Sequence, residues 1–180
     1  MRRSFMVLIA IGLVCALTGG ASAITALTDN NFSTAVNLWF SDESSAIATY
    51  GHISNWDVSA VTNMSFAFDQ SVQGLRDFNE DIRSWDVSSV TDMSAMFYAN
   101  SGFNQDISSW DVSSVTFVTH GFDRLTSLND ENKCAIHTSF STNAIWASWY
   151  DSWGESCDAV PTDVTAITDR NFYSAVNLWV

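Results

Sequence analysis

The chain has 180 residues, of which 20 are Asp or Glu and only 7 are Lys or Arg, giving a formal net charge of −13. A surface this acidic repels phosphate backbones and anionic membranes, so nucleic acid is not expected as a partner. Disorder is also disfavoured, because hydrophobic residues make up 47% and aromatics 13%, enough for a packed core.

Residues 1–23 have the layout of a secretory signal peptide. Arg2 and Arg3 precede an apolar run from Phe5 to Leu17, and Ala21-Ser22-Ala23 supplies the small residues of a cleavage site. The run is short for a membrane span, so no membrane insertion is expected after cleavage. Removing it leaves 5 basic residues against 20 acidic ones, a net charge of 5 − 20 = −15. It also leaves two cysteines, Cys134 and Cys157, which in an oxidising compartment are expected to form a disulfide.

Residues 24–50 read as a helical N-terminal cap. Thr28 and Asp29 are N-cap candidates, and Phe32, Val36 and Trp39 fall on one helical face. A second short helix is expected to open at Ser41 and close at Gly51.

Residues 51–123 repeat themselves. FNEDIRSWDVSSVT, from Phe78, returns as FNQDISSWDVSSVT, from Phe103, with twelve of fourteen letters identical, and ISNWDVSAVT is a shorter copy from Ile53. Trp56, Trp85 and Trp110 mark the copies, and the longer first interval places four extra residues in the loop between Phe68 and Phe78. Insertions confined to one connection suit stacked units, none of which can bury its apolar side alone. Within a copy, I-x-x-W-x-V-x-x-V follows leucine-rich-repeat spacing, and Trp110-Asp111-Val112 alternates in-out-in as a short strand would. In the second copy Val90, Met93, Met96 and Phe97 follow at helical spacing, with Ser89 and Asp92 placed as a capping pair. The third copy departs at Phe117-Val118-Thr119-His120-Gly121, which suggests the end of the stack. The expected fold class is therefore α+β, a short leucine-rich-repeat-like solenoid of about three rungs flanked by helical caps, with the three tryptophans in the core.

The pattern F-N-x-D-I-x-x-W-D-V-S-x-V-T-x-M, between Ile53 and Phe122, resembles the repeat of BspA-like leucine-rich repeat surface proteins, also found in mycoplasma surface lipoproteins. The resemblance implies a surface or secreted repeat protein used in adhesion and protein binding, and implies no catalytic residues.

Residues 124–157 read as a helical and aromatic C-terminal cap. A helix is expected from Asn129, with Asp130 and Glu131 in its first turn and apolar residues through Phe140. Trp146, Trp149, Tyr150 and Trp153 follow, the three tryptophans expected to be partly exposed. A linker, 158–163, contains the single proline, Pro161. Then VTAITDRNFYSAVNLWV, from Val164 to Val180, repeats ITALTDNNFSTAVNLWF, from Ile24 to Phe40. The simplest reading of residues 164–180 is the start of a second, truncated module in a tandem array.

Candidate site residues follow from the repeat. Asp57, Asp86 and Asp111 occupy one outward position, about 5 Å apart if the copies stack. A column of like charge costs stability unless something compensates. Either it binds a basic extracellular partner or a bridging Ca²⁺, or each Asp accepts backbone N–H bonds from the Ser pair that follows, as in an Asx turn. Asp81 and Asp106, with Asn79 and Asn104, form a second polar column, where Asn ladders are usually structural. His52, His120 and His137 lack metal-binding spacing, and there is no G-x-S-x-G elbow or Gly-rich phosphate loop. No enzyme activity, cofactor or metal centre is expected. The expected function is a secreted or cell-surface protein-binding and adhesion module, the alternative being an assembly protein of a surface layer.

Overall fold

The computed structural model describes residues 25–73 and 77–159. The expected signal peptide, most of the linker and the repeated segment 164–180 lie outside the described residues.

Two helices come first. α1 (Phe32–Ser41) buries Phe32, Ala35, Val36 and Trp39 along one stripe. Its N-cap is Asn31 rather than Thr28 or Asp29, and the Asn31 side-chain oxygen accepts from the Thr28 amide at 2.8 Å. α2 (Glu43–Tyr50) opens at Asp42, one residue after the expected Ser41. The Asp42 carboxylate accepts from the Ser45 amide and from the Ser44 and Ser45 hydroxyls. Gly51, at φ 79°, closes the helix as expected.

The repeat does not form an α+β, leucine-rich-repeat-like architecture. Among the described residues there is no strand and no sheet, only two isolated parallel bridges, Asn63 to Asp92 and Asp92 to Phe117. The reason lies in the spacing. I-x-x-W and V-x-x-V are two four-residue turns: the amides of Trp56, Trp85 and Trp110 donate to the carbonyls of Ile53, Ile82 and Ile107. Those of Val61, Val90 and Val115 donate to Val58, Val87 and Val112. The apolar pairs are buried by turning, and the Asp between them stays outward without a strand.

The stretch after each turn pair is not helical either. Phe66, Ala95, Ala99, His120 and Arg124 hold left-handed backbone, with φ between 50° and 63°. This coils the segment into overlapping turns, such as Ala67 to Met64, Met96 to Met93 and Gly121 to Val118. Val90, Met93, Met96 and Phe97 are buried as the apolar pattern suggests. Asp92 caps no helix; it accepts from the Ser94 amide at 2.8 Å. Left-handed backbone costs a residue with a Cβ about 1–2 kcal/mol. What offsets it is a backbone ladder between copies. The amides of Met64, Phe66, Phe68 and Gln70 donate to the carbonyls of Asp92, Ser94, Met96 and Tyr98. Those of Met93, Ala95, Phe97 and Ala99 donate to Phe117, Thr119, Gly121 and Asp123. These amides point to the following copy, whereas those of Thr91, Asp92, Thr116 and Phe117 donate back to the Thr62 and Thr91 carbonyls of the preceding one.

The core runs through the copies as columns. Trp56, Trp85 and Trp110 are buried and stack with centroids 6.2 and 6.4 Å apart. Each indole N–H finds a carbonyl: Trp85 donates to Ile53 and Trp110 to Ile82, in the preceding copy, and Trp56 to Gly51. That is why a tryptophan serves here: it fills the core, stacks on its neighbour and leaves no buried donor unpaired. Phe68, Phe97 and Phe122 form a second column. α3 (Gln70–Gln73) lies in the longer Phe68–Phe78 connection of the first interval.

Helices follow the last copy. α4 (Asp130–Phe140) is capped by Asn129, with Asp130 and Glu131 in its first turn as expected. α5 (Ala144–Tyr150) and α6 (Glu155–Ala159) come next, joined by a 3-10 turn at Asp151–Gly154. A Cys134–Cys157 disulfide ties α4 to α6, as the cysteine count suggests. The Asn143 side-chain amide donates to the carbonyls of Val112 and Val115 at 2.8 and 2.9 Å. The Tyr150 hydroxyl accepts from the Phe122 amide at 2.9 Å. The tryptophans here divide: Trp146 is buried against Phe122 and Phe140, Trp153 is partly buried, and Trp149 is exposed.

Candidate functional site

The three aspartates singled out by the repeat are placed together by the turns. Asp57, Asp86 and Asp111 are all exposed, each between the two turns of its copy. The Asp57 Oδ1 accepts from the Ser59 amide at 3.1 Å and its hydroxyl at 2.6 Å, and Asp86 does the same with Ser88. Asp111 accepts from the Ser113 amide at 2.9 Å. These are the Asx-type bonds that the turn reading requires. They lower all three carboxyls below the ordinary aspartate range, the serine side chain being the main cause and its amide the next. Asp86 also feels the charges of Asp57 and Asp111, which act in the opposite direction, as neighbours in a column must.

In each aspartate the turn engages one oxygen only. Oδ2 has no hydrogen-bond partner among the described residues, so the column carries three outward carboxylate oxygens fixed by their own turns. Turn-making and binding are therefore compatible at these positions. The three carboxylates do not close into a cage: no group of three or more His, Cys, Asp or Glu among the described residues could hold a metal ion.

The second polar column is engaged internally. Asn79 accepts from the Asn104 amide at 2.8 Å, and Asn104 from the Asn129 amide at 3.0 Å, a structural ladder. Asp81 forms a two-point ion pair with Arg83, which lowers its carboxyl to about 2, and Asp106 accepts from the Ser108 amide. The histidines lie apart: His52 bonds Ser54 at 2.8 Å and His120 bonds Asp123 at 2.7 Å.

A concavity that the repeat pattern did not reveal lies where α1 meets the turns. It measures about 600 Å³ and is lined by Asp29, Asn37, Asn63, Asp92 and the exposed rings of Phe66 and Phe117, among others. The signal in the sequence was a mismatch between copies: Phe66 stands where the other two have Ala95 and His120, and Phe117 where they have Asn63 and Asp92.

Residues 34–147 match the family model described as "Mycoplasma protein of unknown function, DUF285", over more than half of the chain. The chain belongs to the DUF285 family. The match takes in most of α1, all of α2, the three repeat copies, α4 and the first half of α5, so the aspartate column lies within the DUF285 segment, as does the cleft apart from Asp29, Phe32 and Ser33. No curated protein and no solved structure matches the chain.

Proposed function

We propose that this DUF285 protein is a non-catalytic, secreted or cell-surface module that binds an extracellular protein partner through the Asp57, Asp86 and Asp111 column. The observation that carries the reading is the free Oδ2 of each aspartate, held outward by a turn that occupies only Oδ1. Such a row presents ordered charge with little left to immobilise, and suits a partner with a basic patch. The sequence resemblance to BspA-like surface proteins supports the surface role, and the Cys134–Cys157 disulfide supports export to an oxidising compartment.

The test uses a decalysine peptide as a basic probe and Ca²⁺ as a bridging one, each titrated by calorimetry. A triple Asp57→Asn, Asp86→Asn, Asp111→Asn variant keeps the turns, because an Asn side-chain oxygen still accepts from the serines. It should lose the salt-sensitive part of decalysine binding. Unchanged binding of both probes at low salt would reduce the column to a set of turn-makers.

A second reading rests on the repetition of residues 24–40 at 164–180: tandem modules that assemble a surface layer. Sedimentation over a concentration series separates the two, since an assembly protein associates with its own copies and a binding module stays monomeric.

A further inference from the structure

The cleft beside α1 carries a ligand chemistry of its own. Phe66 is 50% exposed and Phe117 60% exposed, and both line it. Neither ring is demanded by the repeat, since the matching positions in other copies hold Ala, His, Asn and Asp. Phe66 also sits at φ 60°, a conformation rare for a bulky residue. The two rings belong to copies two apart, about 10 Å along the stack.

Between them the polar groups are mostly neutral. Both Asp29 oxygens are taken up by Thr62 and Asn63, so its charge is engaged internally. The side-chain amide nitrogen of Asn63 and the Oδ2 of Asp92 have no partner among the described residues, and Asn37 adds a second amide from α1. No Lys or Arg lines the cleft. Anionic ligands are therefore repelled, and a lipid would meet too polar a wall. A neutral sugar chain satisfies both features, because its C–H faces lie on aromatic rings while its hydroxyls both donate and accept.

We propose that this cleft binds a neutral glycan chain, with sugar rings against Phe66 and Phe117 and hydroxyls on Asn63 and Asp92. Its occupant is separate from the partner of the aspartate column, because Asp57, Asp86 and Asp111 do not line the cleft. A basic peptide is the competing occupant, disfavoured because Asp29 is already engaged and Asp92 alone offers an unengaged carboxylate oxygen.

Calorimetry on the full, disulfide-bonded chain tests it, with cellohexaose, laminarihexaose, mannohexaose and decalysine as probes. Phe66→Gly removes one ring and relieves the left-handed backbone, so its melting temperature should not fall. Phe117→Ala removes the other exposed ring. Trp149→Ala, an exposed aromatic outside the cleft, serves as control. The expected result is saturable binding of at least one hexaose, weakened about tenfold by each Phe variant and unchanged by Trp149→Ala. The proposal is overturned if no hexaose binds, if binding survives both Phe substitutions in folded protein, or if decalysine alone depends on the two rings.

Discussion

The Asp29 carboxylate does for Thr62 what the Thr62 carbonyl does for Thr91. Its Oδ1 accepts from the amides of Thr62 and Asn63 at 2.7 and 3.1 Å, and its Oδ2 from the Thr62 hydroxyl at 2.6 Å. One copy later, the Thr62 carbonyl accepts from the amides of Thr91 and Asp92 and from the Thr91 hydroxyl. The Thr91 carbonyl then repeats the pattern with Thr116 and Phe117. A side chain thus stands in for the backbone of a copy that is not there.

Asp29→Ala should therefore destabilise the start of the stack by about 1 kcal/mol, the modest value reflecting an exposed carboxylate. Asp29→Asn should lose less, since one oxygen still serves both amides while the new Nδ2 cannot accept from the Thr62 hydroxyl. Chemical denaturation of the two variants would check the order. Equal melting of Ala, Asn and parent would mean that water satisfies Thr62 as well.

Acid should weaken the fold through the same group and its relatives. Asp29, Asp57, Asp77, Asp86 and Asp111 are lowered below the ordinary aspartate value, and Asp42 and Asp81 to about 2. A depressed folded-state pKa contributes stability above the unfolded value, which is lost as pH falls through the folded one. Stability should hold from neutral pH down to about 4 and decline between about 4 and 2. A melting temperature that rises as pH drops through that window would contradict this.

Trp85→Ala should cost on the order of 3–5 kcal/mol, because Trp85 lies between Trp56 and Trp110 and its indole N–H holds the Ile53 carbonyl. Trp149→Ala, at an exposed ring, should change stability by less than about 0.5 kcal/mol. Thermal unfolding of the pair measures both.

Gly121→Ala should destabilise by about 1–3 kcal/mol through overpacking. A Cβ at this position would lie 2.6 Å from the Met93 carbonyl oxygen, in the ladder between the second and third copies. Circular dichroism melts should place it well below the parent, with Ala99→Gly, at a left-handed position, as a contrasting and tolerated change.

Breaking the disulfide with Cys134→Ser and Cys157→Ser should cost about 3 kcal/mol on loop-entropy grounds for a separation of 23 residues. The loss should appear first as exchange of amides in α4 and α6. Protection there equal to that of the oxidised protein would show that packing alone holds the helices.

Much of the packing was legible in the sequence. The inward tryptophans, the α4 cap at Asn129 and the cysteine pair could be read from spacing and composition. The turns that stand in place of the expected strands could not, for a physical reason. I-x-x-W and V-x-x-V put apolar side chains on one side in a turn as well as in a strand-and-loop, and periodicity does not separate the two. The Asp-x-Ser chemistry between them was the deciding signal, since it stabilises turns directly. Asp29 reads as a local helix cap because its true partner is 33 residues away, a pairing no local rule reports. The cleft depended on departures from the repeat at Phe66 and Phe117, and a reading tuned to what recurs passes over what does not.

The regular ladder between copies makes length a quantised property of this fold. Because each copy presents the same pattern of donors and acceptors to its neighbours, a copy inserted between two existing ones finds both of its faces matched. Asp29 and Tyr150 would go on closing the same two ends. A partial insertion inside the ladder segment shifts alternate amides out of phase and breaks the bonds on both sides. Such a chain can grow or shrink by whole copies while its termini stay chemically unchanged, and its reach is tuned in steps of one backbone layer.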